Sequence, residues 1–241
     1  MNEQLIFKRY EMKYLLTREQ EALLKQAMQE HMVPDVHGKS TILSLYFDTP
    51  NYLLARRSME HPLYKEKLRL RSYGLADADS DVFMELKKKY DSVVYKRRTA
   101  MTEEAAKSCL LGDSPADTQI AREIEYCISH YAPLAPKVLI SYERESYYGK
   151  SDMEFRVTFD RNILWRDSDV NLTAGIYGAP LLADDQVLME LKTGHAIPLW
   201  MAQLLSENHI YRTSFSKYGR AYAALCGGRR SALHKTADIC R

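Results

Sequence analysis

Cationic side chains recur at alternate positions in several stretches that have the period of a β-strand. In KLRLR, Lys67, Arg69 and Arg71 share one face of a strand, while Leu68 and Leu70 share the other. The same alternation occurs in RYEMK, VFMELKK, ISYER, MEFRVTF and QVLMELK. The cations that these stretches and a later FSKY place on polar faces are Lys13, Arg69, Arg71, Lys87, Arg144, Arg156, Lys192 and Lys217.

Side chains of these types suit a ligand that carries several phosphoryl groups. An arginine guanidinium binds two phosphate oxygens at once, whereas a lysine amine acts as a compact point charge. Glu11, Glu85 and Glu190 each stand two residues before a lysine and face the same way. Carboxylates among cations can hold Mg²⁺ or Mn²⁺ against phosphate oxygens. A single E-x-K unit is typical of an exposed ion pair, so it is the recurrence that indicates a binding site.

The charged faces also constrain the fold. In an ordinary open sheet, like charges on neighbouring strands would repel one another. A closed antiparallel β-barrel with a charged, wet interior avoids this problem, because helices can cover its apolar outer face. We therefore predict an α+β fold, in which a closed antiparallel barrel with a charged lumen is flanked by helices. The charges in such a lumen must stay hydrated or paired, since burying an unpaired ion is costly.

The remaining patterns predict the elements that position these residues. Strands are expected over 7–16, 40–49, 63–73, 82–89, 137–147, 153–165 and 186–193. Helices are expected over 17–31, 50–60, 102–111, 117–131, 197–208 and 216–225. Thr17 and Gln20 have the spacing of a capping box at the start of the first helix. We interpret the basic run Lys96, Arg97 and Arg98 as a solvated turn after a strand.

Composition limits the possible classes of protein. The 241 residues include 34 basic and 32 acidic side chains, so the net charge of +2 gives no global field that would attract nucleic acid. No linker rich in Pro, Gly or Ser interrupts the chain, which predicts one domain over 1–241 with a core at about 7–225. The four cysteines form no CxxC pair, and no Walker A, GxGxxG, GxSxG or HExxH motif occurs. A polar N-terminus and the lack of a long apolar run predict a cytoplasmic protein without its own membrane segment.

An ordered series of short motifs resembles a known family. It comprises RYEMKYLL, YFDT, KLRLRSYG, VFMELKKKYD, SYERESYYG, FRVTFDRNI, LMELKTG and FSKYGRAY, and it extends from about Phe7 to Leu225. This series is similar to the VTC domain, the catalytic part of the vacuolar transporter chaperone polyphosphate polymerases. It is similar more distantly to the triphosphate tunnel metalloenzymes of the CYTH superfamily. The resemblance implies a tunnel-shaped barrel that transfers the γ-phosphoryl group of ATP to a growing polyphosphate chain, releases ADP and uses Mn²⁺ or Mg²⁺.

The resemblance also implies roles for individual residues. Glu190 corresponds to the metal ligand, while Glu85 and Lys192 occupy lumen positions, with Glu85 a second candidate for the metal. The residues that correspond to phosphate ligands are Lys13, Arg69, Arg71, Lys87, Arg144, Arg156 and Lys217. Ser214 replaces a second lysine of the family's C-terminal motif, which predicts weaker binding of the product chain or a changed preference for its length.

The resemblance leaves three functions open, and it bears on possible partners. A polymerase is the first, a tunnel-type hydrolase of inorganic triphosphate or nucleoside triphosphates is the second, and a non-catalytic sensor of polyphosphate or nucleotides is the third. Hydrolytic relatives typically carry E-x-E-x-K near the N-terminus, whereas Arg9, Glu11 and Lys13 form R-x-E-x-K here, which favours the polymerase. The SPX domain and membrane helices of eukaryotic members have no counterpart in the motif series. We therefore expect the protein to act alone or with a separate membrane partner.

Overall fold

The fold is that of a computed structural model, which describes residues 10–60, 62–77, 79–91, 93–111 and 118–227. Within these ranges the side chains of residues 37, 107, 110 and 111 are not described. Predictions that involve Phe7, Arg9 or Cys240 lie outside the described residues.

The described strands form one ten-stranded sheet in which every pairing is antiparallel. The strands are β1 (Tyr10–Thr17), β2 (Met32–Asp48), β3 (Tyr64–Tyr73), β4 (Asp81–Tyr90), β5 (Val93–Thr102), β6 (Ala135–Gly149), β7 (Arg156–Arg166), β8 (Ala179–Pro180), β9 (Gln186–Thr193) and β10 (Arg212–Thr213). Their order across the sheet is β10-β1-β9-β7-β6-β2-β3-β4-β5, and β8 pairs with β7.

The sheet does not close into a barrel within the described part of the chain, so the prediction of a closed barrel is wrong in this respect. β10 and β5 end the strand order, and no backbone pairing joins them. The sheet nevertheless curves so strongly that the Nζ atom of Lys87 on β4 lies 2.8 Å from the carboxylate of Glu11 on β1. Residues after β10 bridge the gap, since Lys13 donates a hydrogen bond to the carbonyl oxygen of Phe215 and Lys67 donates one to the hydroxyl of Ser216. Side chains therefore join the two ends where strand pairing does not.

Helices cover the outer apolar face of the sheet, as the sequence predicted, except for the last of them. They are α1 (Arg18–His31), α2 (Leu53–Met59), α3 (Glu103–Leu111), α4 (Gln119–His130), α5 (Leu199–Glu207) and α6 (residues 217–227). The helix α6 instead packs on the concave face, where Tyr218 and Leu225 cluster with Tyr142.

The outer helices share buried clusters with the strands that they cover. Ile124 of α4 belongs to the same buried cluster as both leucines of β3. Leu24 of α1 and Met201 of α5 belong to a second cluster, which includes residues of β7 and β9. The predicted capping box is confirmed, since Thr17 and Gln20 exchange backbone and side-chain hydrogen bonds at the start of α1.

The strand β5 differs from the expected solvated turn at Lys96 to Arg98. Valines and a tyrosine favour a strand here, and Asp91 has a positive φ of 40°, a conformation that tight hairpin turns use. The pairing of β4 with β5 places Lys96 opposite Lys87 and Arg98 opposite Glu85. The strand β2 also begins at Met32, before the strand expected over 40–49, and its register with β6 shifts between Pro34 and Lys39.

Asp48 connects three elements at the end of β2, and its removal should lower stability. Its buried carboxylate accepts hydrogen bonds from the backbone N–H groups of Leu54 and Ala55 and from the hydroxyl of Tyr218. We expect Asp48→Ala to lower the free energy of unfolding by about 3 kcal/mol, because buried donors would lose their acceptor. Tyr218→Phe, which removes one of these bonds, should cost about 1 kcal/mol. Urea unfolding of the two variants checks this, and equal losses would contradict it.

Candidate active site

The concave face of the sheet encloses a cavity of about 860 Å³, and most of the predicted cations line it. Strands β1, β3, β4, β6 and β9 each contribute at least one of them, and α6 contributes another. The predicted residues on the wall are Lys13, Arg69, Arg71, Lys87, Arg144, Glu190, Lys192 and Lys217. The alternation in the sequence thus identified the faces that the fold brings together.

Two predicted residues do not line the cavity. Arg156 lies opposite Lys192 in the strand register, but its guanidinium donates a hydrogen bond of 2.5 Å to the hydroxyl of Tyr148 and lies 3.6 Å from Asp35. Glu85 is on the same concave face but fully buried beneath the cations, where its carboxylate lies 2.7 Å from the guanidinium of Arg69. The placement of Glu85 favours a role in orienting cations over a role as a metal ligand.

Asp160 is fully buried beneath the cations of the site, and the set of candidates chosen from the sequence omitted it. Arg144 donates two hydrogen bonds to the Asp160 carboxylate, at 2.6 and 2.7 Å, and Lys217 donates a third at 2.5 Å. Burial favours the neutral acid, but these two cations outweigh it and lower the pKa of Asp160. The alternation in MEFRVTFD places Asp160 in phase with Arg156, so this signal was present in the sequence.

Glu190 stands at the centre of the cations. Its Oε1 atom lies 3.4 Å from the amine of Lys13 and 3.5 Å from that of Lys217, and its Oε2 atom lies 3.4 Å from Lys192 and 3.6 Å from Arg144. Burial opposes ionisation, but Lys13, Lys217 and Lys192 hold the pKa of Glu190 well below its usual value. Glu190 is therefore a carboxylate at neutral pH.

Glu11 is the second acidic side chain on the wall. The register pairs Glu11 with Lys192 and Lys13 with Glu190, so the two carboxylates are diagonal neighbours on β1 and β9. Burial would raise the pKa of Glu11, but Lys87 and Lys192 outweigh it and lower this pKa to about 2.

This donor set fits a metal ion that a phosphate ligand helps to hold. Carboxylate oxygens suit Mg²⁺ and Mn²⁺, and such ions are commonly bound by one or two carboxylates together with substrate phosphates. Among the described residues, no group of three or more His, Cys, Asp and Glu side chains could hold a metal by itself. Glu190 and Glu11 thus fit part of a coordination shell that phosphate oxygens would complete.

Further residues of the wall orient the arginines or add charge. Tyr46 accepts a hydrogen bond of 3.0 Å from Arg69, and Tyr142 accepts one of 3.3 Å from Arg71. Lys67 and Lys96 also line the cavity, although the predicted site set included neither. Lys67 was in phase with Arg69 in the sequence, whereas Lys96 was missed because its strand was interpreted as a turn.

Fold and cavity together describe a strongly curved antiparallel sheet whose concave face is lined by cations. The chain belongs to the VTC domain family, whose family model matches residues 8–226.

Solved structures share this fold at low sequence identity. A candidate adenylate cyclase from Bacillus halodurans is 13% identical with a TM-score of 0.56, and the match covers 88% of this chain and 96% of that one. HpAC1 from Hippeastrum, a candidate adenylyl cyclase described as having a dominant triphosphatase activity, is 17% identical with a TM-score of 0.53, covering 90% and 96% of the two chains. No curated protein matches. Of the helices described, none combines the length and apolar character needed to cross a membrane.

The lysines of the wall should make anion binding depend on pH. Burial is the largest cause that lowers the pKa of Lys192 and of Lys96, in each case to about 8. Each amine is charged below that pKa, so the affinity for tripolyphosphate should fall as the pH rises from about 7 to about 9, by up to about tenfold per pH unit for each lysine. Calorimetric titration across this range measures the change.

The double variant Lys192→Arg, Lys96→Arg should flatten this dependence, because arginine stays protonated throughout the range. The ionisation of the ligand is common to both proteins, so the difference between them isolates the lysines. An unchanged pH profile in the double variant would contradict the assignment.

Proposed function

We propose that the protein is a metal-dependent polyphosphate polymerase, which transfers the γ-phosphoryl group of ATP to a growing polyphosphate chain and releases ADP. The observation that carries this proposal is the ionised Glu190, with four cations within 3.6 Å, in the cavity of a VTC family member. Such a cavity offers many donors for phosphate oxygens together with two carboxylates, Glu190 and Glu11, suited to a metal ion. Phosphoryl transfer depends mainly on positioning and on neutralising charge, and both are within reach of these side chains.

Buried carboxylates hold the proposed phosphate ligands in place. Glu85 contacts Arg69 from beneath the layer of cations, and Asp160 fixes Arg144 through both of its oxygens. Side chains held in this way need little rearrangement when charge develops on the transferring group. Lys13, Lys87, Lys192 and Lys217 would add charge around the phosphate chain, and Arg156 would join them only if its side chain left Tyr148.

Glu190, with Glu11 beside it, would hold the metal ion. When bound, Mn²⁺ or Mg²⁺ would neutralise charge on the phosphate oxygens and orient them. The pKa values of both glutamates lie below their usual range, so neither would have to lose a proton before binding a cation.

The proposed transfer requires no nucleophile from the protein. An oxygen of the acceptor's terminal phosphate forms a bond to the γ-phosphorus of ATP, the bond to the bridging oxygen breaks, and ADP leaves with that oxygen. A terminal phosphate is largely ionised near neutral pH, because its second pKa is about 6. A general base is therefore not needed, and the residues of the wall only bind and orient the reactants.

Hydrolysis of a triphosphate is the second candidate function. HpAC1, which shares the fold, is described with a dominant triphosphatase activity, and the same cavity could place water where the polymerase would place its acceptor.

Cytoplasmic location and a separate membrane partner remain predictions from the sequence, as does the absence of a nucleic acid partner.

Product analysis tests the proposal. We expect purified protein with ATP and Mn²⁺ to make a ladder of polyphosphate chains with matching ADP, resolved on a gel. Arg69→Ala and Glu190→Gln should each lower the rate by about a hundredfold or more, since each removes charge stabilisation at the reacting groups. Arg97→Ala is the matched control, because Arg97 lies on the other face of β5 and pairs with Glu123.

The products separate the three functions. Orthophosphate without chains, lost in the same two variants, would contradict the polymerase and support the triphosphatase. Tight binding of ATP or polyphosphate without turnover would support a non-catalytic sensor, provided that the affinity is unchanged in Glu190→Gln. Equal activity in Arg69→Ala and Arg97→Ala would contradict any catalytic role for this cavity.

A further inference from the structure

The β3–β4 side of the cavity ends in a group of lysines that the proposed reaction does not use. Lys65 lies directly opposite Lys89 in the pairing of β3 with β4, and Lys67 lies opposite Lys87 on the next pair of the same face. Lys65, Lys67 and Lys89 all line the cavity. We call these three residues the lysine rim.

The lysine rim differs from the inner cations in its partners. The inner cations each contact a carboxylate, as Arg69 contacts Glu85 and Lys87 contacts Glu11. Lys65 instead donates to the carbonyl oxygen of Ser58 at 3.1 Å, and Lys67 donates to the hydroxyl of Ser216 at 2.9 Å. Over the described part of the chain, no carboxylate lies within ion-pair distance of the three rim amines. The carbonyl of Ser58 and the hydroxyl of Ser216 are neutral acceptors, so they do not compensate the positive charge of the rim.

This arrangement costs free energy when no ligand is bound. Like charges directly opposite each other on antiparallel strands repel, and two such lysine pairs stand side by side here. Burial lowers the pKa of Lys65, and the charges of Lys89 and Lys13 lower it further. Burial likewise lowers the pKa of Lys67, with Lys13 and Lys87 adding to the effect. An anion lying across the rim would remove the repulsion within it.

The rim continues the inner site along the same strand. Lys65, Lys67, Arg69 and Arg71 alternate on one face of β3, and residues two apart on a strand are separated by about 7 Å. Lys65 therefore lies about 13 Å along the strand from Arg69, and about 20 Å from Arg71. Three condensed phosphoryl groups do not span such a distance, whereas a longer linear chain does.

We propose that the lysine rim is a second phosphate subsite, which binds phosphoryl groups of a linear polyphosphate beyond those that the inner cations contact. The inference rests on the proposed function, because it takes the ligand to be a condensed phosphate chain. It adds that the protein discriminates between a triphosphate and a longer chain, and that the rim residues make this distinction.

Binding measurements with phosphates of two lengths test the inference. The probes are inorganic tripolyphosphate and a linear polyphosphate several times longer, titrated calorimetrically into the full chain without nucleotide. The wild-type protein should bind the longer chain more tightly per molecule. Lys65→Ala with Lys89→Ala should weaken binding of the longer chain about tenfold or more, while tripolyphosphate binding changes less than about twofold.

Two further variants control for fold and net charge. Lys65→Arg with Lys89→Arg keeps the charge and should retain the preference for the longer chain. Lys88→Ala with Lys150→Ala removes the same charge elsewhere, since Lys88 pairs with Glu123 on the opposite face of β4 and Lys150 donates to the carbonyl oxygen of Gln29. This control should bind both probes as the wild type does.

The inference and the proposed function fail in different ways. Equal affinity of the wild type for both probes would overturn the second subsite while leaving the polymerase intact, and so would equal weakening of both probes in the alanine double variant. If the wild type bound neither probe, both would be overturned. If the wild type synthesised polyphosphate normally but bound both probes equally well, only the proposed second subsite would be refuted.

Discussion

Repulsion among cations on one concave face is the constraint on which the rest of this structure depends. Glu85, Asp160 and Glu190 are the buried carboxylates that make the arrangement possible, because each lies between two or more cations. A buried ion pair is stable only when further hydrogen bonds satisfy its members, and Asp160 shows this with three bonds from two partners. The acids hold the cations in fixed positions, which leaves the cavity ready for a ligand of high negative charge.

The curvature of the sheet brings acids and cations of distant strands together. Lys87 and Glu11 meet across the interior although β4 and β1 are far apart in the strand order. Because Phe215 and Ser216 accept hydrogen bonds from Lys13 and Lys67, the segment before α6 spans the space where a closed barrel would have strand pairs. Backbone pairing therefore encloses the cavity along the sheet, whereas side-chain contacts enclose it where β10 and β5 do not pair.

The sequence correctly predicted which face of a strand most of the candidate residues occupy, but it did not predict every contact that their side chains make. Alternation correctly grouped Lys13, Arg69 and Arg144 on one surface, because the period of a strand fixes which face a residue occupies. It could not show that Arg156 turns toward Tyr148, since that depends on contacts between β6 and β7. Lys96 was missed for another reason, which is that a run of basic residues has the composition of a solvated turn. The sequence also did not predict that the sheet stays open, because contacts such as that between Lys13 and Phe215 join residues about two hundred positions apart.

The position of Lys217 has a consequence for the biosynthesis of the protein. This residue reaches the floor of the cavity from α6, beside Tyr218, whose ring stacks on Tyr46 and whose hydroxyl bonds to Asp48. A ribosome makes α6 after all ten described strands, so a nascent chain holds a cavity that still lacks one of its walls. Asp160 and Glu190 then lack one of their partners, and the docking of α6 is the event that both encloses the cavity and balances its charge. The capacity to bind a polyanion in full is thus acquired only once α6 has left the ribosome.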